Sequence, residues 1–341
     1  MTNVAVAPPV RDRASSARLS ELADYVVPFM LRAVADLRVA DHLREGPRTV
    51  DELAAATGVQ ALPLYRALRA LACRGVFSEV EPQTFALTPL AQPLRTDHPE
   101  SLADAYPLLE ADIRAWAGFG HSLRTGEAAF DAVHGVDYWT YMAAHPDESA
   151  RFDASQQSVT KRELRTMLDS YEWSEFGTIV DVGGGNGAFL AGILKRYPGV
   201  RGIVFDQPHV VANAPEVLAE AGVAERCEVA GGSFLRRVPD GGDAYLLKRI
   251  MYAWNDEDAV RMLRTIRAAM RPSSRLLLIE PLMEPGDAFD WGKLYDVLLL
   301  AMAGGGGRSL EQLKVLFAKA DLRLVRVVNT RMSPIIEARP V

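Results

Sequence analysis

Residues 181–187 read Asp-Val-Gly-Gly-Gly-Asn-Gly, between a β-forming run at 178–182 and an amphipathic helical stretch at 188–197. Glycines at 183, 185 and 187 let the chain reverse tightly and allow a ligand to approach the backbone closely. A strand, a glycine turn and a helix in that order are the opening unit of an open α/β sheet. The rest of the C-terminal half continues the pattern. Apolar runs at 202–205, 227–230, 244–247 and 275–279 alternate with helical stretches, and 323–328 with 334–338 look like a closing antiparallel pair. This predicts a Rossmann-like, doubly wound parallel sheet. The glycines do not match the phosphate fingerprints: no Gly-Lys-Ser/Thr follows, and the third glycine is not three places after the second. An acidic residue ahead of the turn disfavours a pyrophosphate and suits a cationic ligand. Asp206 ends the next strand, where a carboxylate can accept from both hydroxyls of a ribose.

The N-terminal half is organised differently. Residues 1–16 are polar and proline-bearing and are expected to be disordered. Over 19–43, Leu22, Val26, Phe29, Met30, Ala33, Val34 and Leu37 recur at helical spacing, and Gly46-Pro47 ends the helix. Thr49 with Glu52 forms a capping-box signature for a short helix to Gly58. A second helix over 62–73 and two β-prone runs at 76–80 and 84–87 complete a winged-helix pattern. Such a shape invites a DNA-binding regulator as one reading. Arg48, Arg66, Arg69, Arg74 and Arg95 are nearly matched by Asp51, Glu52, Glu79 and Glu81, without the positive excess a groove reader needs. A helical scaffold for dimerisation fits better, with the apolar first helix covered by a second subunit. The expected organisation is a dimerisation domain over 17–100, a helical, aromatic-rich cap over 101–170 and a catalytic domain over 171–341.

Composition narrows the function. The chain has 341 residues, enough for two domains, and a net charge of −6, so nucleic acid is not an expected partner. Cys73 and Cys227 form no metal-spaced cluster, and no metal is expected. No apolar run reaches the roughly 18 residues of a membrane span, and the N-terminus lacks a secretory h-region, so a cytoplasmic location is expected.

Four motifs in order, Asp-Val-Gly-Gly-Gly-Asn-Gly, Phe-Asp-Gln-Pro at 205–208, Gly-Gly-Ser-Phe at 231–234 and Leu-Leu-Lys-Arg-Ile-Met-Tyr-Ala-Trp-Asn-Asp-Glu at 246–257, resemble the S-adenosylmethionine-dependent O-methyltransferases. The resemblance is to the plant caffeate and hydroxyindole type and its actinomycete natural-product relatives, and it covers nearly the whole chain. It implies S-adenosylmethionine as cofactor, S-adenosylhomocysteine as its product, no metal, and a homodimer built through the N-terminal domain. By the same resemblance Asp181, Gly183, Gly184 and Gly185 lie along the methionine part, with Asp206 and Gln207 at the ribose. Ser233 and Phe234 flank the adenine, with Lys248 and Arg249 nearby. Many relatives carry Asp where Ser233 stands, and Trp254 walls the same region.

The catalytic position departs from the family. A histidine that deprotonates the substrate phenol is replaced by Tyr252, and the supporting glutamate aligns with Gly307 of the run Gly304–Gly307; a second family glutamate is retained as Glu280. A phenol with pKa about 10 costs about 4 kcal/mol to ionise at pH 7, and a tyrosine of the same pKa is a poor base. Tyr252 and Glu280 are the catalytic candidates, with His121 and His134 as other possible bases. Three routes follow: an acceptor oxygen that is already acidic, a phenol deprotonated by another residue such as Glu280, His121 or His134, or a ring carbon of an electron-rich aromatic as nucleophile. A fold that keeps the cofactor but runs a non-methylating step (hydroxylation, decarboxylation or a pericyclic reaction) is the alternative. Substrate contacts are expected from Trp116, Phe119, Met142, Tyr252, Tyr295, Asp296 and Met302, between the cap helices and the sheet.

Overall fold

A computed structural model describes residues 13–341, and the chain divides into two compact units, 1–108 and 109–341. In the first unit, helices α1 (Arg13–Ala23), α2 (Val26–Asp36), α3 (Val39–His42), α4 (Val50–Thr57) and α5 (Ala61–Ala72) accompany strands β1 (Arg48–Thr49), β2 (Phe77–Glu81) and β3 (Thr84–Leu87). The strands form one antiparallel sheet in the order β1-β3-β2, the wing of a winged helix. Thr49 makes both halves of the capping box with Glu52. The core packs Leu53, Leu64, Leu68 and Leu71 against Phe77 and Phe85.

Two expectations for this unit need correction. The helix expected over 19–43 is three helices. The Asp24 carboxylate accepts from the backbone N–H groups of Val26 (2.9 Å) and Val27 (3.0 Å), which starts a new helix there. Arg38 then adopts a left-handed φ of 57° that ends the second. Disorder was expected over 1–16, yet residues 13–16 belong to α1; residues 1–12 lie outside the described part.

In the second unit, α6 (Glu110–Ala117), α7 (Gly120–Thr125), α8 (Ala129–His134), α9 (Tyr138–Ala144) and α10 (Pro146–Met167) precede the sheet. The sheet strands are β4 (Thr178–Val182), β5 (Arg201–Asp206), β6 (Cys227–Gly231), β7 (Ala244–Lys248), β8 (Arg275–Ile279), β9 (Leu322–Val328) and β10 (Ile335–Pro340). Helices α11 (Ala188–Arg196), α12 (Ala214–Glu220), α13 (Asp256–Ala269), α14 (Trp291–Met302) and α15 (Leu310–Lys319) connect them. Strand order is β6-β5-β4-β7-β8-β10-β9, parallel through β8 and antiparallel at β10 and β9. The chain therefore runs outward from β4 to β6, then returns to place β7 on the other side of β4. That reversal opens a crevice between the carboxyl ends of β4 and β7, where ligands bind in such sheets.

Two apolar layers clamp the sheet, one around Val180, Leu247, Leu263 and Phe317, the other around Ile179, Trp173, Leu190 and Leu246. Helix α10 packs on α11 where Gly192 leaves room: a Cβ there would lie 2.7 Å from both terminal carbons of Leu164. A Gly192→Val substitution must displace the Leu164 side chain from this contact, and we expect a loss of about 1–3 kcal/mol of stability by chemical denaturation.

Candidate active site

Asp181 is the fourth residue of β4, with its carboxylate buried and one oxygen, Oδ2, without a hydrogen-bond partner. The glycine turn folds directly over it. A Cβ on Gly184 would lie 2.9 Å from the Asp181 carboxyl carbon, and one on Gly183 only 2.5 Å from Ile250. Gly183 also has a φ of 73°, so neither position accepts a side chain in this turn. Burial pushes the Asp181 carboxyl up to about 7, against the pull of Lys248 and with the push of Asp206.

Asp206, at the end of β5, accepts from the backbone N–H of Gly185 at 3.0 Å and of Gln207 at 2.7 Å. Burial raises its pKa, while those two donors and His209 oppose the rise. The loop after β6 comes alongside because Gly232 donates to the Asp206 carbonyl at 2.9 Å and has no Cβ to strike the Phe205 ring, which lies 2.7 Å from that position. Ser233 and Phe234 follow at once, and the Phe234 ring meets Trp254 edge to face at 5.6 Å.

Across the crevice, Lys248 ends β7 and Arg249 follows with a left-handed φ of 56°. The Lys248 ammonium donates to Thr160 Oγ1 (3.0 Å) and Glu163 Oε2 (3.2 Å), both on α10, and lies over the Phe189 ring. Its charge is paired on α10 and acts electrostatically on Asp181. Sequence reasoning missed Thr160 and Glu163 because neither belongs to a motif.

Tyr252 stands in a short turn over Met251–Ala253 and donates its backbone N–H to Glu280 Oε2 at 3.1 Å. Burial raises the Tyr252 phenol well above its usual value, so it stays neutral. Burial also pushes the Glu280 carboxyl up to about 7, opposed by Arg308 and by the Tyr252 N–H. The glycine run is explained by contact with this turn. Gly306 donates to the Tyr252 carbonyl at 2.9 Å, and a Cβ on Gly305 would lie 2.4 Å from that same oxygen. Arg308, buried and also missed from sequence, donates to the carbonyls of Met251 (3.1 Å) and Trp254 (2.7 Å) and to Asp256 (2.9 Å). It fastens the run to the turn.

Asp296 on α14 accepts from Gly307 at 2.8 Å, so its carboxylate braces the run. Tyr295 is its neighbour on the same helix and acts electrostatically on Tyr252. Phe119, Met142 and Met302 pack in one buried cluster with Phe130 and Tyr138, and Trp116 lies against Phe119 at 5.3 Å. The cap helices pack against α14, with Met142 and Met302 in the packing between them. His134 is held by the Ala111 carbonyl at 3.1 Å and His121 faces Glu127 at 3.6 Å, whereas Glu280 is the carboxylate hydrogen-bonded to the Tyr252 turn. A groove of about 940 Å³ lies elsewhere, along Arg236, Arg237, Arg261 and Lys319.

Comparison with known proteins places this geometry in a family. Residues 116–323 match the O-methyltransferase domain and residues 20–97 the O-methyltransferase dimerisation domain. The chain is 40% identical to a phenazine O-methyltransferase of Lysobacter antibioticus, covering 96% of each. It superposes on the LaPhzM crystal structure with a TM-score of 0.89, at 39% identity over 96% of this chain and 99% of that one. The neocarzinostatin-pathway O-methyltransferase NcsB1, solved with S-adenosylmethionine and 2-hydroxy-5-methyl naphthoic acid, superposes at 0.82 with 30% identity over 95% and 98%.

Asp181 and Glu280 both titrate higher in the folded chain than their ordinary 3.8 and 4.5. The folded state therefore holds their protons more tightly, and stability falls as pH rises from about 4 through about 7. Glu280→Gln should remove its share. We expect the variant to equal the wild type near pH 4 and to exceed it at pH 8 by of order 3 kcal/mol, measured by denaturation at both pH values.

Proposed function

We propose that this chain, which belongs to the O-methyltransferase family and is an S-adenosylmethionine-dependent methyltransferase acting on small aromatic metabolites, methylates a phenolic oxygen and that Glu280 takes the proton. The observation that carries this is a buried carboxyl, poised near neutrality, hydrogen-bonded to the turn where the family keeps its histidine. A base whose pKa lies near the working pH combines a useful ionised fraction with a useful proton affinity.

The donor site fits the cofactor on its own features. Asp181 offers an unpartnered buried oxygen, and Gly183 with Gly184 leave a cradle that a Cβ would fill. Asp181 and Gly183–Gly185 would hold the methionine part, Asp206 and Gln207 the ribose, and Ser233 and Phe234 the adenine. When bound, S-adenosylmethionine supplies an electrophilic methyl group on a positively charged sulfur. The protein aligns the acceptor oxygen with it, and alignment is the main source of rate in such a displacement. Tyr252, a neutral phenol, orients the acceptor by hydrogen bonding. Trp116, Phe119, Tyr295 and Met302 shape the aromatic side of the site.

The same reading includes a homodimer. Leu19, Leu22, Tyr25, Val26 and Phe29 on α1, α2 and the link between them are exposed within a matched dimerisation domain, and a second copy would cover them. Among the described residues no helix is long and apolar enough to cross a membrane, and no group of ligating side chains suits a metal. Two free thiols support a cytoplasmic setting.

Incubation with methyl-labelled S-adenosylmethionine and a panel of phenols should give labelled methyl ethers and equimolar S-adenosylhomocysteine, read by product NMR. Label on a ring carbon would overturn the oxygen assignment. Glu280→Gln should lower kcat by about 10²-fold or more and remove the rise of kcat through pH 7, whereas Tyr252→Phe should stay within about tenfold of wild type.

A further inference from the structure

Glu163 is the one acid at a junction that holds two cations. It lies on α10 with 1% of its side chain exposed, 3.2 Å from the Lys248 ammonium and 3.6 Å from the Arg249 guanidinium. Those cations are themselves 11% and 10% exposed, and they share Thr160 Oγ1 as a neutral acceptor at 3.0 Å each. Arg249 Nη2 also donates to the Gln156 carbonyl at 3.3 Å. Two positive groups side by side on one strand end repel each other at low local dielectric. Glu163 offsets that repulsion and so favours the charged form of Lys248, which stands two residues beyond Leu246, the β7 partner of Asp181 in the sheet.

We propose that Glu163 is a positioning residue for the donor site: by pairing with Lys248 and Arg249 it keeps the Lys248 ammonium charged on the strand next to Asp181, so that Asp181 presents a carboxylate to the cationic donor. This rests on the reading of the glycine turn as the site of S-adenosylmethionine. The groups around the turn support it. Asp181 is acted on by Lys248 from β7 and by Asp206 from β5, and Cys227 on β6 stays a neutral thiol, pushed up to about 12 by burial. Lys248 is lowered to about 8 by burial and by Arg249, while Glu163 and Asp181 hold it up. Without Glu163 the ammonium would lose its proton more readily, and Asp181 would lose the charge that keeps it ionised.

Calorimetric titration of the full chain with S-adenosylmethionine, between about pH 6 and 9, tests this. In the wild type affinity should rise through about pH 7 as Asp181 ionises. Glu163→Gln should weaken binding about tenfold at pH 7.5 and move that rise upward by about one pH unit. Glu163→Asp, which keeps the charge, should restore the wild-type profile, and Thr160→Val, which removes only a neutral tether, should leave the profile unshifted. Equal losses in all three variants with an unmoved profile would mean Glu163 is merely structural and would overturn the inference. Should Glu163→Gln not fold, Lys248→Met must show the same upward shift, and an unshifted profile there overturns it equally. Absence of binding by the wild type to S-adenosylmethionine and S-adenosylhomocysteine alike would instead remove the donor-site reading beneath it.

Discussion

A buried carboxylate with an unfilled oxygen, at the tip of a central strand, governs this architecture. Asp181 lies in β4 between β5 and β7 and is only 2% exposed. An uncompensated charge there costs several kcal/mol, so the surroundings are arranged to tolerate it without satisfying it. The glycine turn passes above it with no side chain to shield it, and Lys248, on the neighbouring strand, acts on it electrostatically while Oδ2 has no hydrogen-bond partner. The site is incomplete in a way that a cationic ligand completes. Acidic and aromatic groups of this kind favour the positive donor in its ground state, so they serve binding. Rate must come from the acceptor side.

Much of this was legible in the sequence because it rests on short-range rules. Strand positions, the glycine turn, the capping box at Thr49 and the carboxylate at 206 each follow from backbone sterics or from alternation of apolar residues over a few positions. The break in the first helix was less visible. Leu22, Val26, Phe29 and Val34 keep a helical period straight through it, and only the Asp24 side chain and the left-handed Arg38 interrupt the backbone. Hydrophobic periodicity records which face is apolar, not whether the hydrogen-bond ladder is continuous.

The residues that sequence missed are those whose roles depend on long-range pairing. Glu163 stands 85 positions from Lys248, and Arg308 stands 57 from the Met251 carbonyl it holds. Nothing local marks them as special, since a Glu or Arg on an amphipathic helix or after a glycine run is ordinary. Burial is what sets them apart: charged side chains are almost never fully buried unless paired. Lys248 is the converse case. Its motif was recognised, but motif position does not tell where a long flexible side chain points, and α10 claims it.

The replacement of histidine by Tyr252 becomes intelligible when the turn is taken as a unit with the glycine run. A glutamate at 307 would orient an imidazole, but a Cβ on Gly307 would already lie 3.2 Å from the Met283 side chain and 3.4 Å from Asp296. A second member of the pair would need the Met283 side chain to give by a few tenths of an ångström. With that partner gone, an isolated histidine would lack orientation, and a neutral phenol costs less to bury. The turn is held instead by main-chain contacts, through Gly306, Arg308 and the carboxylate of Glu280. Glu280 thus performs two tasks at once. It anchors the Tyr252 backbone, and because its burial is only partly offset by Arg308 it retains a proton affinity near neutrality. On the proposed mechanism, acid–base capacity lies with the residue that holds the turn in place rather than with a side chain of the turn.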